Sequence, residues 1–456
     1  MKHPTPAYTI ELVDYLAHLL PEDLPPQVLE LGRYLLLDYL GVAIRGSRAE
    51  SSAPVYRMIE RIGATGPCTV IGTNIRTLPG YAALANGTAA HAIELDDTHN
   101  AGSIHLGVVM FSVALALAET LQDLTTEQFF IAAVAGYEAA ARIAMAVQPK
   151  EHYLLGFHPT ATCGVFGAAV TASKLLQITE EQMFSAVGIA GSMAAGSLEF
   201  LSEGAWTKRL HPGLAAQNGI QAAMLAAEGF LGPFTILEGR DGFLNAYSRK
   251  PIPELLTDGL GESFEIMHTG VKPHACCRYM QGPIDAILAL VREHDIQPEQ
   301  IRSIDTAVLE AGWPLVVEPR EQKYQPKSVV EAQFSMPFGA AVAVLYRAAG
   351  IDQFTEENTQ SPDVRRMMGK VVMSKHAKIE QNFPQEWAAI VTIALTDGRT
   401  FEKHITHPKG DPANVLTRHE LIAKFKSLAG DRDDIITEAL SGNSPAKLPG
   451  LCRQPN

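Results

Sequence analysis

Hydrophobic residues recur every three to four positions over most of the first half of the chain. This spacing predicts helices over residues 10–20 and 26–41, and Pro26 stands at a position typical of a helix start. From residue 78 to residue 230 the pattern is helical almost throughout, and the helices are rich in alanine and glycine. Small residues allow helices to approach closely, so we expect a dense all-α core here.

The pattern changes near residue 261. Alternating or β-branched segments predict strands at 303–310, 370–374 and 389–406, with a hairpin turn at Asp397-Gly398. Helical patterns at 283–294 and 333–349 interleave with these strands, and helix returns from about residue 416. We therefore predict a mostly α protein. Residues 1–265 would form a large all-α helical domain, residues 266–406 a smaller α+β domain, and residues 407–456 would pack back on the first domain.

Composition narrows the class of protein. At 456 residues and 46% hydrophobic, the chain is long enough for about two domains. A net charge of −13 argues against nucleic acid or an anionic membrane surface as the main partner. Five cysteines without framework spacing, and no signal-peptide core, favour a reduced, cytoplasmic protein. The apolar stretch 129–147 contains Glu138 and Arg142, which predicts a buried helix rather than a membrane span.

Ionisable residues are concentrated just before the very apolar segment 107–121. They are His91, Glu94, Asp96, Asp97, His99 and His105, with Thr98 among them. If residues 84–98 are one helix, His91, Glu94, Leu95 and Thr98 lie on one face. Asp96 and Asp97 then fall in the last turn, where the helix dipole disfavours carboxylates. Ionisable groups between two buried helices suggest a functional site.

Three further segments carry candidate chemistry, namely residues 156–160, 206–213 and 272–278. His105, His158 and His211 stand just before or at the opening of predicted apolar helices. Free N–H groups there attract carboxylates, and the same field keeps a histidine neutral and available as a base. Lys208 and Arg209 add fixed positive charge. In an acidic protein, this concentration of cations indicates a small substrate with several carboxylates.

Each feature alone also has a structural interpretation. A histidine before a helix is often a cap, Lys208-Arg209 could be a solvated pair, and the vicinal Cys276-Cys277 is typical of buried apolar filling. The acidic cluster could bind a metal, but no tight His/Cys spacing supports it. GxGxxG, P-loop and GxSxG patterns are missing from the sequence. We therefore predict neither a metal nor a cofactor.

Several blocks together resemble the MmgE/PrpD family, which includes 2-methylcitrate dehydratase, cis-aconitate decarboxylase and iminodisuccinate epimerase. In family order they are LLLDYLGVAIRG, ALANGTAAHAIELDDTH with the following His105, GFHPTATCGVFGAA, KRLHPGLAAQNG, GFLGP with LEGRDGF, and AQFSMPF. The resemblance covers nearly the whole chain. It implies a large all-α domain, a smaller α+β lid domain, a homodimer, and an interdomain active site without metal or organic cofactor.

The resemblance also implies site residues. Decarboxylase members of the family place site groups at the positions matching Glu94, Thr98, His105, His158 and Lys208, with aspartate usual at the first. Four departures from the family pattern concern Leu106-Gly107, the segment 273–275, Gln281 in place of a histidine, and Phe338 in place of a tyrosine. The last two remove proton donors that dehydration or decarboxylation would use.

We therefore expect His105, His158 and Lys208 to be the catalytic acid/base groups. The residues expected to bind or orient the substrate are Glu94, Thr98, Arg209, Lys272, Arg278 and Gln281. With two proton donors missing, we expect a cofactor-independent epimerase that removes and returns a proton next to a carboxylate of an amino- or imino-polycarboxylate such as iminodisuccinate. The alternatives are a hydro-lyase or decarboxylase acting on a tricarboxylate, and a non-catalytic polycarboxylate-binding protein.

Overall fold

The computed structural model describes residues 7–454. The helices of the N-terminal part are α1 Tyr8–His18, α2 Pro26–Gly46, α3 Ser52–Ile62, α4 Pro79–His91, α5 Gly107–Ala118, α6 Thr126–Ala146, α7 Pro149–Leu154, α8 Pro159–Thr162, α9 Gly164–Leu175, α10 Glu180–Gly191, α11 Phe200–Glu203, α12 Thr207–Ala227 and α13 Phe243–Tyr247. Short strand pairs join β1 Cys68–Thr69 to β2 Arg76–Thr77, and β3 Thr98–His99 to β4 Thr269–Gly270.

The C-terminal part contains α14 Gln281–Glu293, α15 Trp313–Val316, α16 Arg320–Tyr324, α17 Val329–Gln333, α18 Met336–Tyr346, α19 Glu356–Gln360, α20 Pro362–Met368, α21 Ala377–Glu380, α22 Arg418–Ala429, α23 Asp433–Ser441 and α24 Leu448–Leu451. Its strands β5 Ile301–Ala307, β6 Val371–Ser374, β7 Ala389–Leu395 and β8 Thr400–Ile405 form one sheet in the order β6-β5-β7-β8. β5 runs parallel to β6 and antiparallel to β7, and β7 and β8 form the predicted hairpin. The mostly α fold with a smaller α+β region is confirmed.

Glycine brings α4 and α12 into backbone contact in the centre of the helical part. A Cβ added to Gly87 would lie 2.8 Å from the Cα of Gly213, and one added to Gly213 would lie 2.2 Å from the carbonyl oxygen of Leu84. Only residues without a side chain permit this approach. The crossing fixes the last turn of α4 beside the first turns of α12.

We expect Gly87→Ala to lower the free energy of unfolding by about 2 kcal/mol, because its methyl group would force the two backbones apart. Gly80→Ala on the same helix is the matched control, since its Cβ would meet only Gln217 at 3.5 Å. Urea titration of both variants measures the difference. Equal stabilities would show that the crossing relaxes without cost.

The C-terminal helices lie against the N-terminal part of the chain. Phe425 of α22 packs on Gly41 of α2, where an added Cβ would be 3.1 Å from its ring. The Nζ atom of Lys424 pairs with Oδ1 of Asp38 at 2.6 Å, and both side chains are buried. These contacts connect residues that are almost four hundred positions apart in sequence.

Two predictions about single helices have different outcomes. α6 is long and apolar enough to cross a membrane by length and composition, but 94% of its apolar window is buried inside the protein. Glu138 and Arg142 form a buried ion pair of 2.7 Å within it. The predicted helix 84–98 is wrong, because α4 ends at His91 and the chain then turns through Glu94, whose φ is 57°.

Candidate active site

The loop between α4 and α5 carries most of the candidate site. A left-handed backbone is unfavourable for a glutamate, yet it turns the Glu94 carboxylate toward the first turn of α12. Further along the loop, Thr98 and His99 pair with Thr269 and Gly270 as β3 and β4. This ribbon holds the segment that carries Lys272 against the loop. The two parts of the chain therefore meet where the acidic residues lie.

Two lysines and two carboxylates form a buried charge network at this meeting point. Lys208 donates to Oε1 of Glu94. The Nζ atom of Lys272 lies 3.5 Å from Oε2 of Glu94 and 3.3 Å from Oδ1 of Asp96. Burial opposes ionisation of Glu94, but the two ammonium groups outweigh it and lower the pKa of Glu94 to about 2. Glu94 therefore stays ionised at neutral pH.

Asp96 also orients two histidines. Its Oδ2 atom lies 2.7 Å from Nδ1 of His91 and 3.1 Å from Nδ1 of His105. Nδ1 of His105 is also 2.7 Å from the carbonyl oxygen of Asp97. Since a carbonyl can only accept, this nitrogen carries the proton. Because Nδ1 is engaged by Asp96 and Asp97, Nε2 is the ring nitrogen of His105 that can exchange a proton with a ligand.

His158 and His211 form a second, neutral pair. Their Nδ1 atoms are 3.0 Å apart, so one donates and the other accepts. Burial is the main reason why the pKa of His211 is lowered to about 4, and the nearby His91 and Lys208 lower it further. Burial and His211 likewise hold the pKa of His158 well below its usual value. Both imidazoles are therefore uncharged at neutral pH.

The depressed pKa of His211 makes stability depend on pH. The unfolded chain binds a proton at this residue below about pH 6.5, whereas the folded chain does so only near pH 4, so stability falls as the pH falls through this window. We expect His211→Gln, which retains a donor but does not titrate, to reduce this slope by up to about 1.4 kcal/mol per pH unit. Urea titrations between pH 4.5 and 7 measure it. The exposed His419→Gln is the control, and an unchanged slope in His211→Gln would contradict the assignment.

Asp97 holds the start of α5 in place and contacts Tyr137. Both carboxylate oxygens accept from the backbone N–H of Gly107 at 3.0 Å, at the start of α5, and Oδ2 accepts from the Tyr137 hydroxyl at 2.7 Å. Burial raises the pKa of Asp97 to about 7 despite these hydrogen bonds. Asp97 thus fixes the end of the loop that presents His105.

A narrow cavity of about 50 Å³, here called the polar cavity, opens onto this network. Its charged and polar lining residues are Glu94, Thr98, Ser103, His105, Tyr153, His158, Lys208, Cys277, Arg278 and Tyr279. Its apolar lining residues are Leu198, Phe200, Leu201, Leu315 and Phe334. The ammonium of Lys208 lies 5.1 Å from the centre of the Phe334 ring. A small anion in this cavity would therefore meet a guanidinium, two imidazoles and an ammonium that is paired with the Glu94 carboxylate.

Six of the nine residues predicted from sequence line the polar cavity. They are Glu94, Thr98, His105, His158, Lys208 and Arg278. Arg278 is also held by Asp411, whose Oδ2 lies 2.6 Å from its NH2 atom. Lys272 is almost fully buried and lies behind the cavity, where it neutralises Glu94 and Asp96. It acts on the site through these carboxylates.

The structure corrects the position of Arg209. Although it follows Lys208 in sequence, its side chain projects to the other side of α12 and donates to the Ser51 hydroxyl at 3.2 Å. It lines a separate cavity of about 440 Å³ together with Arg45 and Arg48. The helix geometry explains this, because adjacent residues lie about 100° apart around the axis.

Gln281 and Phe338 also lie away from the polar cavity. The amide of Gln281 accepts from the backbone N–H of His274 at 3.2 Å and donates to its carbonyl at 3.0 Å, so it holds this bend of the chain in place. Phe338 is fully buried, with its ring 5.4 Å from that of Phe354. Neither residue lines the polar cavity.

Five residues of this site have no role in the sequence-based prediction, namely Asp96, Ser103, Tyr153, Cys277 and Tyr279. Asp96 belongs to the acidic cluster, and the structure shows that it contacts His91, His105 and Lys272. Ser103, Tyr153 and Tyr279 line the polar cavity, and the Tyr153 hydroxyl lies 2.9 Å from Oγ of Ser103. Burial raises the pKa of both phenols, so they remain protonated. Isolated tyrosines carry no local sequence signal that separates a cavity residue from a core residue.

One cluster has the composition of a metal site. His91, Asp96 and His105 each offer a ligand atom, and these atoms lie within 4.8 Å of one another. The ammonium of Lys272, 3.3 Å from Asp96, already supplies the positive charge there and would repel a divalent cation. The proton on Nδ1 of His105, the nitrogen that faces the cluster, also blocks metal coordination. These residues fit a hydrogen-bonded acid/base group better than a metal centre.

Comparison with known proteins identifies the family of this chain. The family model for the MmgE/PrpD N-terminal domain matches residues 10–256, and that for the MmgE/PrpD C-terminal domain matches residues 274–439. The chain therefore belongs to the MmgE/PrpD family.

Three relatives are similar over most of their length. A cis-aconitate decarboxylase-like protein of Aspergillus oryzae is 30% identical over 445 residues, which cover 92% of this chain and 90% of the relative. The cis-aconitate decarboxylase of Aspergillus terreus is 27% identical, covering 93% and 90%. That of Mus musculus is 27% identical, covering 88% and 82%.

Proposed function

We propose that this protein is a lyase that decarboxylates an unsaturated tricarboxylate of the cis-aconitate type. The observation that carries the proposal is the Lys208 ammonium, held in a cavity that also contains His105 and His158. The relatives named as cis-aconitate decarboxylases, similar over about nine-tenths of this chain, support the choice within the family.

The proposed reaction breaks one carbon–carbon bond. The bond between the CH₂ group and its carboxylate breaks, CO₂ leaves, and the electron pair shifts through the neighbouring double bond to the far carbon. That carbon then takes up one proton. A six-carbon trianion and a proton thus give CO₂ and a five-carbon unsaturated dianion, so atoms and charge balance.

The charges of the polar cavity suit this reaction. Negative charge moves from the departing carboxylate onto a carbon conjugated with a remaining carboxylate, and fixed cations stabilise that delocalised anion. In this proposal Lys208 and Arg278 bind the carboxylates that stay, while His105 takes up a proton from solvent at Nε2 and delivers it to the far carbon. Neutral His158 and the protonated phenols of Tyr153 and Tyr279 can donate hydrogen bonds without adding charge.

The epimerase prediction loses its main argument. It depended on proton donors missing at Gln281 and Phe338, and both residues lie outside the polar cavity. Two phenols line the cavity from other positions, Tyr153 and Tyr279. Together with the names of the relatives, this favours the lyase alternative.

The homodimer and the cytoplasmic location remain predictions. Light scattering tests the homodimer.

Proton and carbon NMR in D₂O test the proposed function directly. With cis-aconitate, we expect equal amounts of CO₂ and a five-carbon dicarboxylate that carries one deuterium at the protonated carbon. Parallel samples contain 2-methylcitrate and iminodisuccinate. If cis-aconitate releases no CO₂, loss of water from 2-methylcitrate would indicate a dehydratase instead. Deuterium exchange with interconverting diastereomers of iminodisuccinate would then indicate an epimerase. Binding of all three without turnover would indicate a polycarboxylate-binding protein.

A further inference from the structure

A second and much larger cavity adjoins the polar cavity. It has a volume of about 740 Å³, within the range of pockets that hold organic ligands. Its walls are mainly apolar, and the residues that matter here are Met145, Leu154, Leu255, Ala311, Phe383 and Trp387. We call it the apolar cavity. The polar cavity, at about 50 Å³, is well below the usual range for a ligand pocket.

The two cavities share one wall. Six residues line both of them, namely Ser103, Tyr153, Leu198, Leu201, Tyr279 and Leu315. A molecule whose charged end reaches Lys208 therefore has apolar surface next to it. The shared leucines and the ring faces of the tyrosines favour an aliphatic group at this boundary over water.

The charges of the apolar cavity lie at its rim. Among its lining residues, Lys150 and Glu310 are exposed, and Glu310 pairs with Lys375 at 2.9 Å. The cations that can bind a carboxylate, Lys208 and Arg278, line the polar cavity and not the apolar cavity. The large space thus offers little to a second charged group and much to a hydrocarbon chain.

We infer that the substrate is an unsaturated polycarboxylate that carries an aliphatic substituent, with its carboxylates in the polar cavity and its chain in the apolar cavity. This inference rests on the proposed function for the charged end and extends it to the substrate class. If the apolar cavity were only an access route for a small tricarboxylate, affinity would not depend on a substituent.

The test uses non-reacting ligands, so that binding is separated from turnover. Calorimetric titration compares propane-1,2,3-tricarboxylate with its 1-propyl and 1-hexyl homologues. Burial of each methylene group should lower Kd about fourfold. If the unmodified protein binds all three ligands with equal affinity, the inference is wrong, and no result with a variant can restore it.

Two matched variants test where the aliphatic substituent of the ligand binds. Ala311→Trp places an indole ring in the apolar cavity, and we expect it to reduce the gain with chain length more than it reduces binding of the parent tricarboxylate. Ala49→Trp makes the same change at a partly buried alanine of the separate cavity near Arg209, and should leave the whole series unchanged. Equal weakening of parent and hexyl ligands by Ala311→Trp would contradict the proposed location.

Turnover then separates this inference from the proposed function. Release of CO₂ is measured from cis-aconitate and from its hexyl derivative. A chain-length dependence of binding without any CO₂ from either compound would leave the inference standing and remove the decarboxylase proposal. CO₂ release from both compounds at equal kcat/KM, with no chain-length dependence of binding, would support the decarboxylase proposal and overturn the inference about the aliphatic substituent.

Discussion

Lys208→Met lowers kcat for decarboxylation by about 1,000-fold if the ammonium stabilises the anion formed when CO₂ leaves. Methionine keeps most of the length of the lysine stem and removes the ammonium, together with its contact with the Phe334 ring. Lys272 remains 3.5 Å from Glu94, so the buried carboxylate keeps one counter-ion. We therefore expect a folded protein with little activity, measured as CO₂ release at saturating substrate.

The neighbouring residue supplies the control for this variant. Arg209→Met also removes one positive charge from the first turn of α12, but its side chain faces the separate cavity lined by Arg45 and Arg48. We expect its kcat to stay within about threefold of the unmodified protein, because screening and distance weaken its effect on the polar cavity. Similar losses in both variants would mean that general charge, and not contact with substrate, explains the effect.

Asp96→Asn should have the largest effect on stability, about 3 kcal/mol, because it removes a buried charge and leaves Lys272 with only one carboxylate. The same change releases Nδ1 of His105 from its carboxylate, so we also expect kcat to fall. Urea unfolding and CO₂ release measure the two effects separately.

The sign of the pH dependence follows from the pKa of Asp96. Burial opposes its ionisation, but His105, Lys272 and His91 outweigh burial and hold the pKa well below its usual value. Its contribution to stability is therefore complete above the pKa of an unfolded aspartate, about 3.9, and is lost as the pH falls through the lower folded value. The difference between the unmodified protein and Asp96→Asn should be constant above pH 5 and shrink in acid.

Glu138→Gln is the matched control for Asp96→Asn. Glu138 is equally buried and pairs with Arg142 at 2.7 Å, but its hydrogen-bond partners, Arg142 and the backbone N–H of Glu265, belong to none of the site's charge or histidine contacts. We expect it to lower stability with kcat unchanged. Loss of activity in Glu138→Gln would mean that any buried ion pair in the helical part affects the site.

Local patterns were enough to predict the mostly α fold. The hairpin at Asp397-Gly398 and the alanine-rich helices follow from period and composition, which act over a few neighbouring residues. Local patterns do not predict where α4 ends, because the helical spacing of apolar residues continues past His91. Pairing of β3 with β4 and the charge contacts of Glu94 hold the turn that ends this helix, and their partners are more than one hundred positions away in sequence.

The site was predicted best where chemistry and position coincide along the chain. His105, His158 and Lys208 stand in segments whose residue types already indicate carboxylate binding, and they meet in one cavity. Arg209 shows the limit, since neighbours in sequence point to different sides of a helix. Tyr153 and Tyr279 reach the cavity from separate parts of the chain, which only tertiary packing brings together.

The backbone contact between α4 and α12 also bears on how new substrate preferences could arise. Gly87 and Gly213 leave no room for an added carbon atom, so mutations in this crossing damage folding before they can alter binding. Leu198, Leu201 and Leu315 lie outside the crossing and line both cavities where they meet. Drift and selection can therefore reshape this boundary while the reacting groups stay in register, which makes it the place where descendants of this protein would diverge.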